Sequence, residues 1–230
     1  MTVRTSSMLP VRDQAGQWLE LGNVKHVAEW RAWPVPATLP AWLVPDQGQT
    51  NTLQKAASGP PGLILTGTDP ASPARIRMNE GINRPSLTAS RIDVHGVTTE
   101  TTGTVMGKLA LSLSASGSTD PAGGVVLTMS QAGGVRTTLA GGTTTNTLVH
   151  APSATVGPNK NRWSGVSLGL IVDWSAQQAW AVEGSDVVGV LDMSAAPPLP
   201  TQINPAITFT PGTAGDSIRI AAVRIISWYD

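Results

Sequence analysis

Between residues 166 and 174 (V-S-L-G-L-I-V-D-W) apolar and polar positions separate by parity. Val166, Leu168, Leu170 and Val172 fall on one face, and Ser167, Gly169 and Ile171 on the other. A period of two with β-branched residues predicts a strand with one face on a core. Residues 173–178 then form a polar turn and 178–183 (Q-A-W-A-V-E) alternates again, which predicts a hairpin. Residues 185–193 supply a third short strand. The chain closes on 217–228 (S-I-R-I-A-A-V-R-I-I-S-W), a predicted strand with Arg219 and Arg224 set among apolar residues.

The same pattern predicts strands over 62–66, 74–78, 90–97 and 107–115, with a loop at 79–85. The threonine-rich stretch 98–104 either continues the strand before it or forms an exposed loop. Asp120-Pro121 begins a turn that Gly123 and Gly124 complete. Residues 125–131 and 135–139 read as a hairpin across Gly133-Gly134, followed by a strand near 147–150. The proline-rich stretch 195–211 reads as a loop interrupted by one short strand at 207–210. The total is roughly ten to fourteen strands, at the spacing of an all-β sandwich.

The first 61 residues look different. They hold Trp18, Trp30, Trp33 and Trp42 and the prolines Pro34, Pro36, Pro40 and Pro45. Residues 17–21 suggest a short strand. The apolar spacing of 24–33 (V-K-H-V-A-E-W-R-A-W) predicts about two helical turns that Pro34 ends. Residues 34–45 suit an extended, polyproline-like path, and the polar stretch 46–61 a linker. The expected organisation is a Trp/Pro-rich arm and linker over 1–61, for attachment or oligomerisation, and a β-sandwich over 62–230.

Composition narrows the chemistry. Charged residues are only 13%, and the 15 basic and 15 acidic side chains cancel. With no basic run, neither nucleic acid nor a membrane surface is an expected partner. The absence of cysteine excludes disulfides and thiolate metal sites. The first ten residues lack the apolar core of a signal peptide, so synthesis in the cytoplasm without export is expected.

The succession of a strand, Asp173-Trp174, a turn, a strand and V-E-G-S-D-V-V-G-V at 182–190 resembles a stretch of the concanavalin A-like and laminin-G-like jelly rolls. There an acidic-aromatic pair ends a strand, a hairpin turn carrying D-G follows, and a proline-containing loop comes next. Here Glu183-Gly184 replaces D-G. The resemblance spans about 62–230 and implies a jelly-roll β-sandwich whose last strand, 217–228, returns beside the first, 62–66. The Trp/Pro-rich start and Thr/Gly-rich body also resemble, in composition, bacteriophage virion accessory proteins such as decoration, spike and fibre proteins.

Catalytic motifs are missing from the sequence. Glucanases of this fold carry paired carboxylates as E-x-D-x-x-E on one strand. The five glutamates here, Glu20, Glu29, Glu80, Glu100 and Glu183, show no such pairing. His26, His95 and His150 share no ligand spacing, and no G-x-S-x-G elbow exists. No enzymatic activity is therefore expected. The resemblance admits Ca2+ as a cofactor, held by Asp173, Asp192 and Asp216 with Asn204 or backbone carbonyls, although each aspartate also suits a strand-end turn. Otherwise no cofactor is implied.

Eight tryptophans against one Tyr and one Phe make indole the main aromatic resource. Trp163, Trp174 and Trp180 are the candidates for stacking on a sugar, against the alternative of core or inter-subunit packing. Trp174 and Trp180 flank the hairpin turn and are candidate cross-strand neighbours. Trp18, Trp30, Trp33 and Trp42 are candidate anchors of an assembly interface, and Trp228 a core or inter-subunit packing residue. The expectation is a non-enzymatic virion structural protein that assembles through its arm with other virion proteins, as a homo-oligomer with a trimer among the options. The alternative is a carbohydrate-binding module for host surface glycans.

Overall fold

The computed structural model describes residues 24–32, 38–46, 50–54, 61–79, 81–83, 86–100, 107–130, 136–142, 144–148, 163, 165–194 and 201–229. In chain order the strands are β1 (Val24–Arg31), β2 (Leu43–Pro45), β3 (Thr50–Gln54), β4 (Gly62–Thr66), β5 (Ala74–Met78), β6 (Ile82–Asn83), β7 (Leu87–Thr99), β8 (Lys108–Ser114) and β9 (Gly124–Ser130). They continue with β10 (Arg136–Gly141), β11 (Thr144–Leu148), β12 (Val166–Asp173), β13 (Gln178–Glu183), β14 (Asp186–Asp192), β15 (Gln202–Thr210), β16 (Ser217–Ile220) and β17 (Ala222–Tyr229). Among the described residues no helix is long and apolar enough to cross a membrane.

The strands form two antiparallel sheets. The nine-stranded sheet runs β14-β13-β12-β7-β16-β4-β3, with β17 beside β7 and β1 beside β17. The eight-stranded sheet runs β11-β10-β9-β8-β15-β5-β2, with β6 against β15. Parity puts Ile92, Val94, Leu168, Leu170, Val223 and Ile225 on the inner face of the first sheet. Leu109, Leu111, Leu127, Ile76, Ile207 and Phe209 face them from the second. A face that removes this much apolar surface from water contributes roughly 25 cal/mol per Å2. The all-β sandwich expected from the alternation, of the jelly-roll type that the resemblance implies, is the architecture observed.

The beginning of the chain departs from its expected form. Residues 24–31 are not helical: β1 pairs antiparallel with β17, from Val24 opposite Trp228 to Arg31 opposite Ala222. Ala28 and Trp30 enter the core while Glu29 faces out. The available sheet edge decides for strand, since an extended segment gains a full ladder that two isolated helical turns lack. The stretch read as a linker contains β3, whose Thr/Asn sequence pairs with β4. β2 pairs with β5 in the other sheet. The described part of residues 1–61 is thus woven into both sheets and is not a separate arm. The predicted strand at 17–21 and residues 34–37 of the polyproline-like path lie outside the described residues; the rest of that path turns at Ala41-Trp42, where the Leu43 amide donates to the Pro40 carbonyl at 3.0 Å, and ends in β2.

The predicted closing strand is two strands. β16 pairs with β4, Ser217 opposite Thr66 and Ile220 opposite Leu63, which is the expected return beside the first strand of the jelly roll. β17 leaves that ladder and runs between β1 and β7. The break falls at Ala221, whose methyl group meets Gly96 of β7; Gly96 adopts φ +63°, a left-handed conformation open to glycine. Residue 207–210 is the end of a longer strand, β15, which tolerates Pro205. β5 pairs with β15 from Ala206 onward and β6 only at Gln202 and Ile203, so Pro205 stands in the gap between the two ladders.

Candidate functional site

On the outer face of the eight-stranded sheet, parity places Arg75, Thr208 and Ala110 in one row and Arg77, Ala206 and Ser112 in the next. Two loops rise beside these rows and enclose a pocket of about 480 Å3. One wall comes from the β4–β5 loop, with Thr68, Ala71, Ser72 and Pro73, and the other from the β8–β9 loop, with Ser118 and Thr119. Asp46, just after β2, and Arg75 supply the charged groups.

The sequence holds both walls in place. In the β4–β5 loop the Asp69 carboxylate accepts from the Ala71 amide at 2.7 Å, and the Ser72 amide donates to the Asp69 carbonyl at 3.0 Å. Gly67 below it donates to the Asp216 carbonyl at 3.1 Å. The β8–β9 loop folds onto the sheet through its carbonyls. Ser114 Oγ donates to Ser118 O at 3.1 Å, Ser112 Oγ and Arg75 Nη1 each reach Gly117 O at 3.4 Å, and Asn204 Nδ2 donates to Ala115 O. Gly117 makes the fold-back feasible: it has φ +67°, and a Cβ there would press on Ala206.

Asp46 lies between two arginines. Arg75 donates to its Oδ2, and Arg77 Nε donates to its Oδ1 at 2.9 Å. The pocket therefore combines an ion-paired carboxylate and guanidinium with the hydroxyl-bearing residues Thr66, Thr68, Ser72, Ser118 and Thr119, above a Thr208 whose hydroxyl is buried. Hydroxyls donate and accept, a carboxylate accepts and a guanidinium donates, so the lining can answer the alternating pattern of a polyol. Sequence reasoning did not single out Asp46, Arg75 or Arg77. The one available signal was A-R-I-R-M, where two arginines two apart on a strand share a face.

The tryptophans lie elsewhere. Trp163, Trp174 and Trp180 are only 1%, 4% and 6% exposed, so their indoles are packing residues and present no open face for a sugar. Trp174 and Trp180 are not cross-strand neighbours. Trp180 pairs with Ile171 and clusters with Val182 on the outer face, while Trp174 turns into the core and donates through Nε1 to Ser90 Oγ at 3.0 Å. Trp30 is a buried core residue on β1, opposite Val223 of β17, and Trp42 packs half-buried against the core. Trp228 is buried beside Ile226 and Ala89, in a small cluster apart from the main core. Trp18 and Trp33 lie outside the described residues.

Asp173, Asp192 and Asp216 do not converge. Asp173 Oδ1 accepts from the amides of Ser175 at 2.9 Å and Ala176 at 2.8 Å. Asp192 accepts from the Ser194 amide at 2.8 Å, and this contact lowers its pKa. Asp216 accepts from the Thr213 amide at 2.8 Å. Each closes its own turn, and among the described residues no three His, Asp or Glu side chains gather as metal ligands.

The outer face of the nine-stranded sheet carries a second Arg-Asp-Arg triad, this one buried. Arg91 Nε reaches Asp93 Oδ1 at 2.7 Å, and Arg224 Nη2 reaches Asp93 Oδ2 at 2.8 Å. Gly169 on β12 stands opposite Asp93, and a Cβ there would collide with the carboxylate. Beside the triad, burial lowers the pKa of His95 below its ordinary 6.5; Asp93 opposes the shift, Arg224 and Arg91 add to it, and Glu29 opposes it weakly. The sign follows from linkage. Well above pH 6.5 His95 is neutral in both the folded and the unfolded chain, and its contribution no longer changes with pH. As pH falls, the unfolded chain takes up the proton first, so stability declines until the folded His95 also titrates. Urea midpoints measured from pH 8 to pH 5 are expected to fall for the wild type and to fall less for His95→Gln.

No protein-family model matches the chain, and no curated protein matches it. Solved structures do. The carbohydrate recognition domain of Emp47p shares 11% identity over 97% of this chain and 96% of that chain, with a TM-score of 0.57. Lectin I-B4 from Griffonia simplicifolia shares 13% over 88% of this chain and 99% of its own, with a TM-score of 0.52. An endo-1,3-beta-glucanase from Streptomyces sioyaensis shares 11% over 89% and 90%, with a TM-score of 0.52. The similar Emp46p domain is matched in a metal-free and in a potassium-bound form. The shared feature is the fold, a lectin-like sandwich of concanavalin A type, which hosts both binding and hydrolysis.

Proposed function

We propose that the protein is a non-catalytic carbohydrate-binding domain whose saccharide sits in the pocket between the β4–β5 and β8–β9 loops. The observation that carries this reading is the lining itself: five hydroxyl-bearing residues, Thr66, Thr68, Ser72, Ser118 and Thr119, around an ion-paired Asp46 and Arg75, on sheet rows and tethered loops. Pre-ordered hydrogen-bonding groups lower the cost of holding a flexible polar ligand. The lectin and carbohydrate-recognition neighbours support the same class of ligand. Among the described residues the pocket lining has one carboxylate, Asp46, already spanned by Arg75 and Arg77, and no second acid beside it.

A place in a virion stays an expectation of composition, with no described feature or comparison bearing on it. The test is a glycan array followed by calorimetric titration of the best saccharide. Arg75→Gln should weaken binding by about tenfold or more, the loss of a charge-assisted hydrogen bond, with an unchanged circular dichroism spectrum. Polysaccharide incubated with the protein should show no new reducing ends. Release of reducing ends, or a saccharide bound with equal affinity by Arg75→Gln, would move the function or the site elsewhere.

A further inference from the structure

The pocket lining includes no aromatic ring, so a sugar seated there finds no stacking partner within its walls. One stands nearby. Of the tryptophans among the described residues, Trp30, Trp163, Trp174, Trp180 and Trp228 are buried, and Trp42 alone keeps part of its side chain in solvent. Trp42 leads into β2, the strand that ends just before Asp46 in the pocket wall. At the rise of a strand the four steps from Trp42 to Asp46 cover about 13 Å, farther than a single sugar ring reaches.

Backbone bonds fix both ends of this stretch. The Leu43 amide closes the turn on the Pro40 carbonyl, and the Asn79 amide donates to the Trp42 carbonyl at 2.8 Å, which carries the β2–β5 ladder one residue further. At the pocket end the Asp46 amide donates to the Arg75 carbonyl at 3.1 Å. The surface between is apolar: Leu39, Pro40 and Val44 are half-buried, and Ala41 and Pro45 are exposed. Apolar residues scattered singly on a surface are ordinary, but these are contiguous and run into a polar pocket. We infer that Trp42 is a second subsite, stacking on one unit of an oligosaccharide whose other unit occupies the pocket, a reading that rests on the pocket being the saccharide site. An indole offers a large, rigid contact at small entropic cost, and the pocket holds the sugar so that this second contact is intramolecular. The protein then selects oligosaccharides over monosaccharides.

The experiment follows chain length on the full-length protein. An array printed with homo-oligomers of glucose, galactose, mannose, xylose and N-acetylglucosamine, from monosaccharide to hexasaccharide, identifies the series bound, and calorimetry measures each length of it. Affinity is expected to rise about tenfold from the monosaccharide to the longer oligomers and then to level off. Trp42→Leu keeps an apolar side chain against the core and removes the ring, so it should leave monosaccharide affinity unchanged and erase the rise. Trp42→Phe should retain most of it. Thermal melts check that both variants fold, and sedimentation follows their oligomeric state. A flat length series, or a rise that Trp42→Leu leaves intact, would overturn this inference, while the pocket is tested separately by Arg75→Gln. A wild-type oligomer that Trp42→Leu dissociates, with the length series unchanged, would make Trp42 an assembly contact instead. A blank array would remove both the subsite and the saccharide site.

Discussion

Replacing Asp93 with alanine is expected to destabilise the protein by about 3–5 kcal/mol, because two buried guanidiniums lose the carboxylate that both contact. A domain of ordinary stability, about 5–15 kcal/mol, would be brought close to unfolding by this change alone. The reason lies in the asymmetry of buried charge. An intact buried ion pair adds little over an apolar replacement, whereas a broken one leaves an uncompensated charge without water. Urea unfolding of Asp93→Ala is therefore expected to contrast with the triple replacement Arg91→Met/Asp93→Leu/Arg224→Met, which should come out near neutral. Gly169→Ala probes the same site from the neighbouring strand, since its methyl group displaces the Asp93 carboxylate. In an Asp93→Ala background that methyl group has room, so the two changes should be strongly non-additive. An Asp93→Ala protein within 1 kcal/mol of the wild type would show that the triad is not as enclosed as its geometry indicates.

The second large effect separates a core residue from a ligand contact. Trp163→Ala should cost about 3–5 kcal/mol, the range for emptying a buried indole site. The residue is pinned by its backbone: its amide donates to Thr99 Oγ1 at 3.1 Å, and its carbonyl accepts from the Thr99 amide at 3.0 Å. A void there cannot be closed easily by local relaxation. Trp163 Nε1 makes no hydrogen bond among the described residues, so Trp163→Phe strands no polar partner and should cost well under the alanine change. Trp174→Phe, by contrast, removes the donor to Ser90 Oγ. With the folded Trp163→Phe protein, saccharide affinity should equal that of the wild type. A loss of binding without a loss of stability would return Trp163 to the site.

The strands that a single buried face defines were legible one by one. β8, β12 and β13 alternate because every second residue meets the opposing sheet, and that requirement is written locally. Strands whose form depends on a distant pairing partner were not. T-N-T-L-Q shows no apolar-polar alternation as a sequence, yet β3 pairs with β4 and extends the sheet. β1 has helix-compatible spacing and becomes a strand because β17 presents an edge. The split of the closing strand depends on a contact between Ala221 and Gly96, residues 125 positions apart.

The pocket shows the same division. The chain itself determined that residues such as Leu109, Leu170 and Ile207 must find a common interior, and hence that a sandwich would form. It also put Arg75 and Arg77 on one face of one strand. Only the tertiary structure decided which face points outward and what stands beside it: Asp46 arrives through β2, Thr208 through β15, and the two walls through loops far apart in the chain. Apolar burial is a requirement each strand carries in its own period of two, whereas a polar site belongs to the non-local pairing that lays distant strands side by side.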